Sequence, residues 1–277
     1  MKKTINILIV TLLFVILSSC QDVINVDLKT SKERLVIEAL INWEEGTTGA
    51  NQFIKLSKTS SFYNNAIVPV DNANVLIKNL TTLQEFDFIL NSNGIYQTIT
   101  FIPEIDTDYE LEISYNGSIY KATAKLLASP VITEMTQSID KGFSDEEPEV
   151  NIKFQDFINQ ENFYKINYTY NTSTGVEMEY FNEVVSDNFL EDSEIELYYE
   201  DENFIAGDEI KVTVYNIPAH FFDFLTKLEL QEEGGEGPFS SSPINVKGNI
   251  INTTNIKKYP YGYFSLNKIT PEVYIFQ

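Results

Sequence analysis

At 277 residues the chain has room for one large β domain or two of ordinary size, and its formal charge of −22 argues against nucleic acid as a partner, because such a surface repels phosphate backbones. Apolar residues make up 43% of the chain, and Phe and Tyr number 19 and 16, so it is not a disordered acidic tail. With one cysteine and one histidine, an internal disulfide and a zinc site built from Cys and His are both ruled out.

Residues 1–19 read as a signal peptide. Lys2 and Lys3 form a positive n-region, and Ile5–Leu17 is an apolar stretch too short to span a bilayer comfortably but suited to a signal h-region. It ends in Leu17-Ser18-Ser19-Cys20, which resembles a lipobox. That resemblance implies a diacylglycerol on the Cys20 thiol and cleavage before it. An ordinary secretory signal with an incidental cysteine is the competing reading, and it is weakened by the absence of cysteine elsewhere. No second apolar run approaches bilayer length, so the chain is expected to be anchored to a membrane rather than to span it.

Residues 20–32 form a polar tether, and strand signals follow it. Glu33–Trp43 places Leu35, Ile37, Ala39, Ile41 and Trp43 on one face. Gln52–Lys58, Asn74–Asn79, Gln84–Leu90 and Gly94–Thr100 are short, bounded by Asn, Gly and Ser, and rich in β-branched or aromatic residues. Thr107–Tyr115 alternates strongly. Asn116-Gly117 then supplies a type I′ turn, where both residues need positive φ. A two-residue loop pairs Tyr115 with Ser118, Ile113 with Tyr120, Leu111 with Ala122 and Tyr109 with Ala124. Residues 33–128 are thus expected to form an immunoglobulin-like β-sandwich.

Ala128-Ser129-Pro130 marks a boundary, because proline interrupts pairing. Residues 129–277 are expected to form a second β domain. Its candidate strands are Val131–Thr136, Glu149–Phe157, Asn162–Tyr170, Gly175–Phe181, Glu194–Glu200, Asp208–Ile217, Tyr261–Asn267 and Val273–Phe276. Over 218–231, Phe221, Phe222, Leu225 and Leu228 follow helical spacing, with Pro218 at the start and Gly234 at the stop. The expected fold is mainly β, with two β-sandwich (immunoglobulin-like) regions and one short helix near the C-terminal part.

Three stretches carry a family resemblance: Cys20-Gln21-Asp22-Val23-Ile24-Asn25-Val26-Asp27-Leu28 with Arg34-Leu35-Val36-Ile37-Glu38; Asp71-Asn72-Ala73-Asn74-Val75; and Pro238-Phe239, Pro243-Ile244-Asn245-Val246, Gly248-Asn249-Ile250 and Gly262-Tyr263-Phe264-Ser265. Their order and spacing resemble the Bacteroidetes lipoprotein family known as domain-of-unknown-function 4249. The resemblance implies an outer-membrane lipoprotein, often encoded beside a TonB-dependent receptor, and it brings no active-site residues. Ala39 departs from the glycine common at that place.

The chemistry-bearing residues are few. His220 lies in the expected helix, and no nucleophile-elbow motif accompanies it, so it is read as a surface or packing histidine. Acidic runs occur at Asp145-Glu146-Glu147 with Glu149, at Glu191-Asp192 with Glu194, and at Glu200-Asp201-Glu202. None matches an EF-hand loop, and solvated loops are the simpler reading against calcium. Gly234-Gly235-Glu236-Gly237 lacks the ending of a phosphate loop. Tyr164, Tyr168 and Tyr170 share a face and would form a binding platform only if that face were exposed.

The expected protein is a non-enzymatic outer-membrane lipoprotein, lipidated at Cys20 and facing the periplasm or the cell surface. It uses no cofactor and no metal, and its ligand-binding residues are not specified. The implied partner is a TonB-dependent receptor in solute uptake; the alternative is a structural or adhesive cell-surface β-sandwich protein. Gln21 stands where an inner-membrane retention aspartate would be, which favours the outer membrane.

Overall fold

A computed structural model describes residues 33–60, 66–141, 147–157, 161–172, 175–186, 194–200, 204–233 and 245–277. The signal segment, Cys20, the tether, the runs at 145–146, 191–192 and 201–202, and the 234–237 loop lie outside these residues. Among the described residues, no helix is long and apolar enough to cross a membrane.

The strands are β1 (Leu35–Glu44), β2 (Gln52–Lys58), β3 (Val68–Pro69), β4 (Asn74–Asn79), β5 (Glu85–Ser92), β6 (Ile95–Thr98), β7 (Asp108–Tyr115), β8 (Ser118–Ala128), β9 (Ile132–Ser138), β10 (Glu149–Gln155), β11 (Phe163–Thr172), β12 (Gly175–Ser186), β13 (Glu194–Glu200), β14 (Glu209–Ile217), β15 (Ile251–Asn252), β16 (Tyr261–Ile269) and β17 (Glu272–Ile275). One helix, α1 (Ala219–Glu233), follows β14, and a 3₁₀ turn covers Ile256–Lys258.

The first sheet runs β1-β16-β8-β7-β4-β5-β6-β2 and closes on itself, because Leu35–Glu38 of β1 pairs with Lys55–Lys58 of β2. Two strands turn the corners. β5 pairs with β4 through Glu85–Phe88 and with β6 through Ile89–Ser92. β8 pairs with β7 through Ser118–Lys125 and with β16 through Leu126–Ala128. The expectation of two immunoglobulin-like sandwiches therefore gives way to a barrel-like ring accompanied by two smaller sheets; the mainly β character stands. The physical reason is closure, since a ring leaves fewer open edges than two independent sheets.

The ring is filled by the inward residues of alternating strands, among them Ile37, Ile41, Leu56, Ile77, Phe86, Leu111, Ile113 and Phe264. Two buried tyrosines find partners for their hydroxyls. Tyr96 donates to the Val70 carbonyl at 3.0 Å and accepts from the Ala73 amide at 2.9 Å. Tyr109 donates to the Ile102 carbonyl at 3.0 Å and accepts from the Glu104 amide at 2.9 Å. Burying these rings then leaves no polar atom unpartnered at their tips.

β16 comes from the far end of the chain and lies parallel to both β1 and β8. Ala39 faces Phe264 across that ladder. Gly262 makes the approach possible: its φ is +99°, and a Cβ there would stand 1.9 Å from the Ile37 carbonyl oxygen. The region beginning at residue 33 is thus completed by residues well beyond 128.

The remaining strands form a sheet ordered β13-β10-β9 and another ordered β12-β11-β14-β17. They share a core of Ile132, Val150, Ile152 and Phe154 from the first and Tyr164, Ile166, Tyr168, Val212 and Val214 from the second. Residues 33–277 make one compact unit. A small polar clamp at Asn216 and Asn267 fastens the second core to the ring. Pro218 stands just before α1, and its carbonyl accepts from the amides of Phe221 and Phe222 at 2.8 and 3.1 Å. It packs Phe221 on Tyr263 of β16, with ring centroids 3.9 Å apart and nearly parallel.

Candidate functional site

The sequence-singled residues divide sharply. Tyr164, Tyr168 and Tyr170 are buried in the second core, so they are packing and not a platform. Alternation showed that they share a face but not that β9, β10 and β13 would cover it. Trp43 is half-buried at the rim of the ring core, with Nε1 donating to the Thr47 carbonyl at 3.0 Å. His220 sits at the start of α1, its Nδ1 hydrogen-bonded to the Tyr263 hydroxyl. Burial lowers the imidazole pKa, and Asp223 opposes that shift. Burial also raises the Tyr263 phenol. A cavity of about 330 Å³ opens beside this pair, lined among others by Lys125, Leu127, His220, Phe264 and Leu266. It lies between the start of α1 and strands β7, β8 and β16 of the ring, and its walls are mostly apolar.

A group of basic residues lies elsewhere. Arg34, the only arginine in the chain, stands immediately before β1. Its Nη1 donates to the carbonyls of Tyr259 at 3.0 Å and Lys257 at 3.4 Å. Its guanidinium carbon lies 3.7 Å from the centre of the Tyr259 ring, and Lys247 Nζ lies 4.1 Å from the same centre. Lys257 and Lys258 belong to the 3₁₀ turn. That turn is built by asparagines: Asn255 accepts from the Lys257 amide at 3.1 Å, and Asn252 accepts from the amides of Thr254 and Asn255 while donating to the Lys258 carbonyl at 3.0 Å. Asn245 donates to the Tyr259 hydroxyl, and this bond is the main reason that phenol titrates below its usual range. The neighbouring Tyr261 titrates higher, through burial.

Among the described residues, no carboxylate lies within 4 Å of Arg34, Lys247, Lys257 or Lys258. Two cations, Arg34 and Lys247, lie against the Tyr259 ring, and two more lysines follow in the adjoining 3₁₀ turn, so this part of an acidic chain is locally basic. Sequence reasoning passed over these residues because they are scattered, but a signal was present. No Asp or Glu occurs between Glu236 and Glu272, a stretch that carries four lysines.

The acidic runs are partly described. The ladder register sets Glu149 directly beside Glu200, bringing together two runs that are far apart in sequence. Glu194 pairs with Gln155 at the other end of the same ladder. Among the described residues, no group of three or more His, Cys, Asp or Glu side chains is placed to hold a metal ion.

The family model described as "Domain of unknown function (DUF4249)" matches residues 21–270. The chain belongs to this family. Within it, the Arg34 patch and the β16 ladder both fall inside the matched span. No curated protein matches the chain. Solved structures with similar stretches include a DUF4785 family protein from Legionella pneumophila, at 9% identity and TM-score 0.29, covering 66% of this chain and 52% of that one. The chicken interferon gamma receptor alpha chain matches at 10% identity and TM-score 0.24, covering 66% and 87%. A two-domain fibronectin type-III segment of chicken tenascin matches at 11% identity and TM-score 0.22, covering 60% and 85%. The chain thus spans about half the length of the Legionella protein.

Proposed function

We propose that this DUF4249 protein is a non-enzymatic, lipid-anchored envelope protein that recognises a macromolecular partner while held close to an anionic membrane surface. The observation that carries this reading is the position of the Arg34 patch. Thirteen residues of sequence lie between Cys20 and Arg34, a reach of at most about 50 Å when fully extended. A lipid on Cys20 would therefore keep this basic patch of an acidic protein within reach of lipid phosphates. One acyl chain alone binds marginally, and a basic patch supplies a second attachment signal.

The proposed partner is an outer-membrane TonB-dependent receptor, and this part rests on the resemblance of the family to receptor-linked lipoproteins. The test has two arms. Fatty-acid labelling in cells should mark the wild type and fail with Cys20→Ser; equal labelling would remove the anchor from the reading. Native purification from outer membranes should bring down the receptor, whereas recovery of free lipoprotein alone, or turnover of a glycan or peptide at enzymatic rates, would overturn it. Flotation with vesicles containing about 30% anionic lipid should weaken when Arg34, Lys257 and Lys258 are replaced by alanine, more so as salt rises. Unchanged flotation would remove the patch from the proposal.

A further inference from the structure

Glu149 and Asn151 are two residues apart on β10, so their side chains leave the same face of the sheet. That face is opposite to Val150, Ile152 and Phe154, which enter the second core. Yet both residues are buried, Glu149 at 0% exposure and Asn151 at 2%. Register places Ser138 and Thr136 of β9 on one side of them, and Glu200 and Tyr198 of β13 on the other.

Half of their polar atoms are accounted for. Glu149 Oε1 accepts from Ser138 Oγ at 2.5 Å and from the Lys141 amide at 2.7 Å. Asn151 Nδ2 donates to Ser138 Oγ at 2.7 Å and to Thr136 Oγ1 at 3.3 Å. Glu149 Oε2 and Asn151 Oδ1 are buried and have no hydrogen-bond partner among the described residues. Both are acceptors, so an ionised Glu149 does not satisfy Asn151. A buried acceptor left without a donor costs about 1–3 kcal/mol, and a charged one costs more.

Glu200 sharpens the problem, because directly opposed cross-strand residues bring like charges close enough to repel. The nearby lysines are engaged one row further along the sheet. Lys153 Nζ pairs with Glu134 at 2.9 Å, and Lys141 Nζ lies 3.5 Å from Glu196. Two unpartnered oxygens and a second carboxylate on the adjacent strand call for a hard cation.

We propose that β9, β10 and β13 form a calcium site, with Glu149 Oε2, Asn151 Oδ1 and the Glu200 carboxylate as protein ligands and water completing the shell. The donor set is all oxygen, which suits calcium over zinc or copper. A mixture of carboxylate, amide carbonyl and water in loose geometry suits calcium over magnesium, which demands a near-ideal octahedron. Two carboxylates place the affinity in the range of extracellular modules, a Kd of about 0.1–1 mM. The ion would fasten β13, an outer strand of its sheet, to β10. This site is independent of the proposed anchor and receptor.

The test uses the purified protein stripped with EGTA. Melting curves with about 5 mM calcium, about 5 mM magnesium or EGTA are compared, and terbium luminescence is titrated. Calcium should raise the melting temperature and terbium should saturate, with calcium competing. Glu149→Gln should remove the calcium-dependent rise and weaken binding at least about tenfold. Asn151→Asp adds a third carboxylate and should do the reverse: tighter binding, with a lower melting temperature in EGTA. Should Glu149→Gln fail to fold, Asn151→Asp decides the matter. A wild type indifferent to calcium would overturn the proposal. Binding that neither variant alters would also overturn it, as adventitious binding by surface carboxylates.

Discussion

Asn267 donates from Nδ2 to the backbone carbonyl of Asn216 at 2.6 Å, and that bond ties the ring to the second core. Asn216 in turn donates its own Nδ2 to the Ala128 carbonyl at 3.3 Å, and its amide reaches Ser129 Oγ at 3.3 Å. The strand entering the second region, the strand leaving it and the strand completing the ring thus meet at two asparagines. Asn267→Leu, similar in size, should cost about 1–3 kcal/mol, because the Asn216 carbonyl loses its donor in a nearly closed environment. Urea unfolding of wild type and variant measures this, and a change below a few tenths of a kcal/mol would show that the clamp is redundant.

A fragment ending at residue 129 should not reach the native ring. It lacks Phe264 and Leu266, which are 0% and 1% exposed, and it leaves β1 and β8 with unpaired edges where β16 belongs. Circular dichroism and a melting curve on residues 33–129 should show poor cooperativity or aggregation. A sharp melt from that fragment would mean that β1 and β8 can close without the C-terminal strand.

The glycines at positions 262 and 117 should respond unequally. Both have positive φ, but a Cβ on Gly117 meets nothing within 4 Å, whereas one on Gly262 collides with the Ile37 carbonyl. Gly117→Val should cost about 1–3 kcal/mol through backbone strain alone. Gly262→Ala should cost about 3 kcal/mol or more, since strain and a backbone clash add in the ladder that closes the ring. Melting temperatures of the two variants would rank them, and the opposite order would refute this account of the β1–β16 approach.

Acidification should weaken the protein through His220. Its folded pKa lies below the ordinary 6.5, so between those two values the unfolded chain binds a proton that the native state does not. Stability from this residue is therefore full above about pH 6.5 and declines as pH falls through the window beneath it. His220→Gln should flatten that part of the stability-against-pH curve without changing the carboxylate-driven losses at lower pH. An identical slope in the variant would show that His220 does not contribute.

Local structure was legible where the signal was local. The Asn116-Gly117 turn has φ of 47° and 72°, and the ladder pairs Tyr115 with Ser118, Ile113 with Tyr120, Leu111 with Ala122 and Tyr109 with Ala124, the register written from the sequence. β2, β4 and β13 also have the bounds that composition and alternation gave. What was illegible is non-local. Tyr261–Asn267 read as a strand, but nothing in its pattern says that it lies parallel to β1 and β8. The same holds for Glu149 and Glu200, which become neighbours only through the β10–β13 register, and for Arg34, whose companions lie at 247 and 257–259. The two-residue strands β3 and β15 are too short to carry any period.

The parallel ladder between β1 and β16 also sets an order of events. The first strand of the folded unit acquires one of its two neighbours only when residues 261–269 are available. Any process that delivers this chain from its N-terminus leaves β1 and β8 with open edges until residues 261–269 have arrived. Contacts of such long sequence separation form late and slowly. A stop codon or proteolytic cut before residue 261 therefore disables the ring that begins at residue 35.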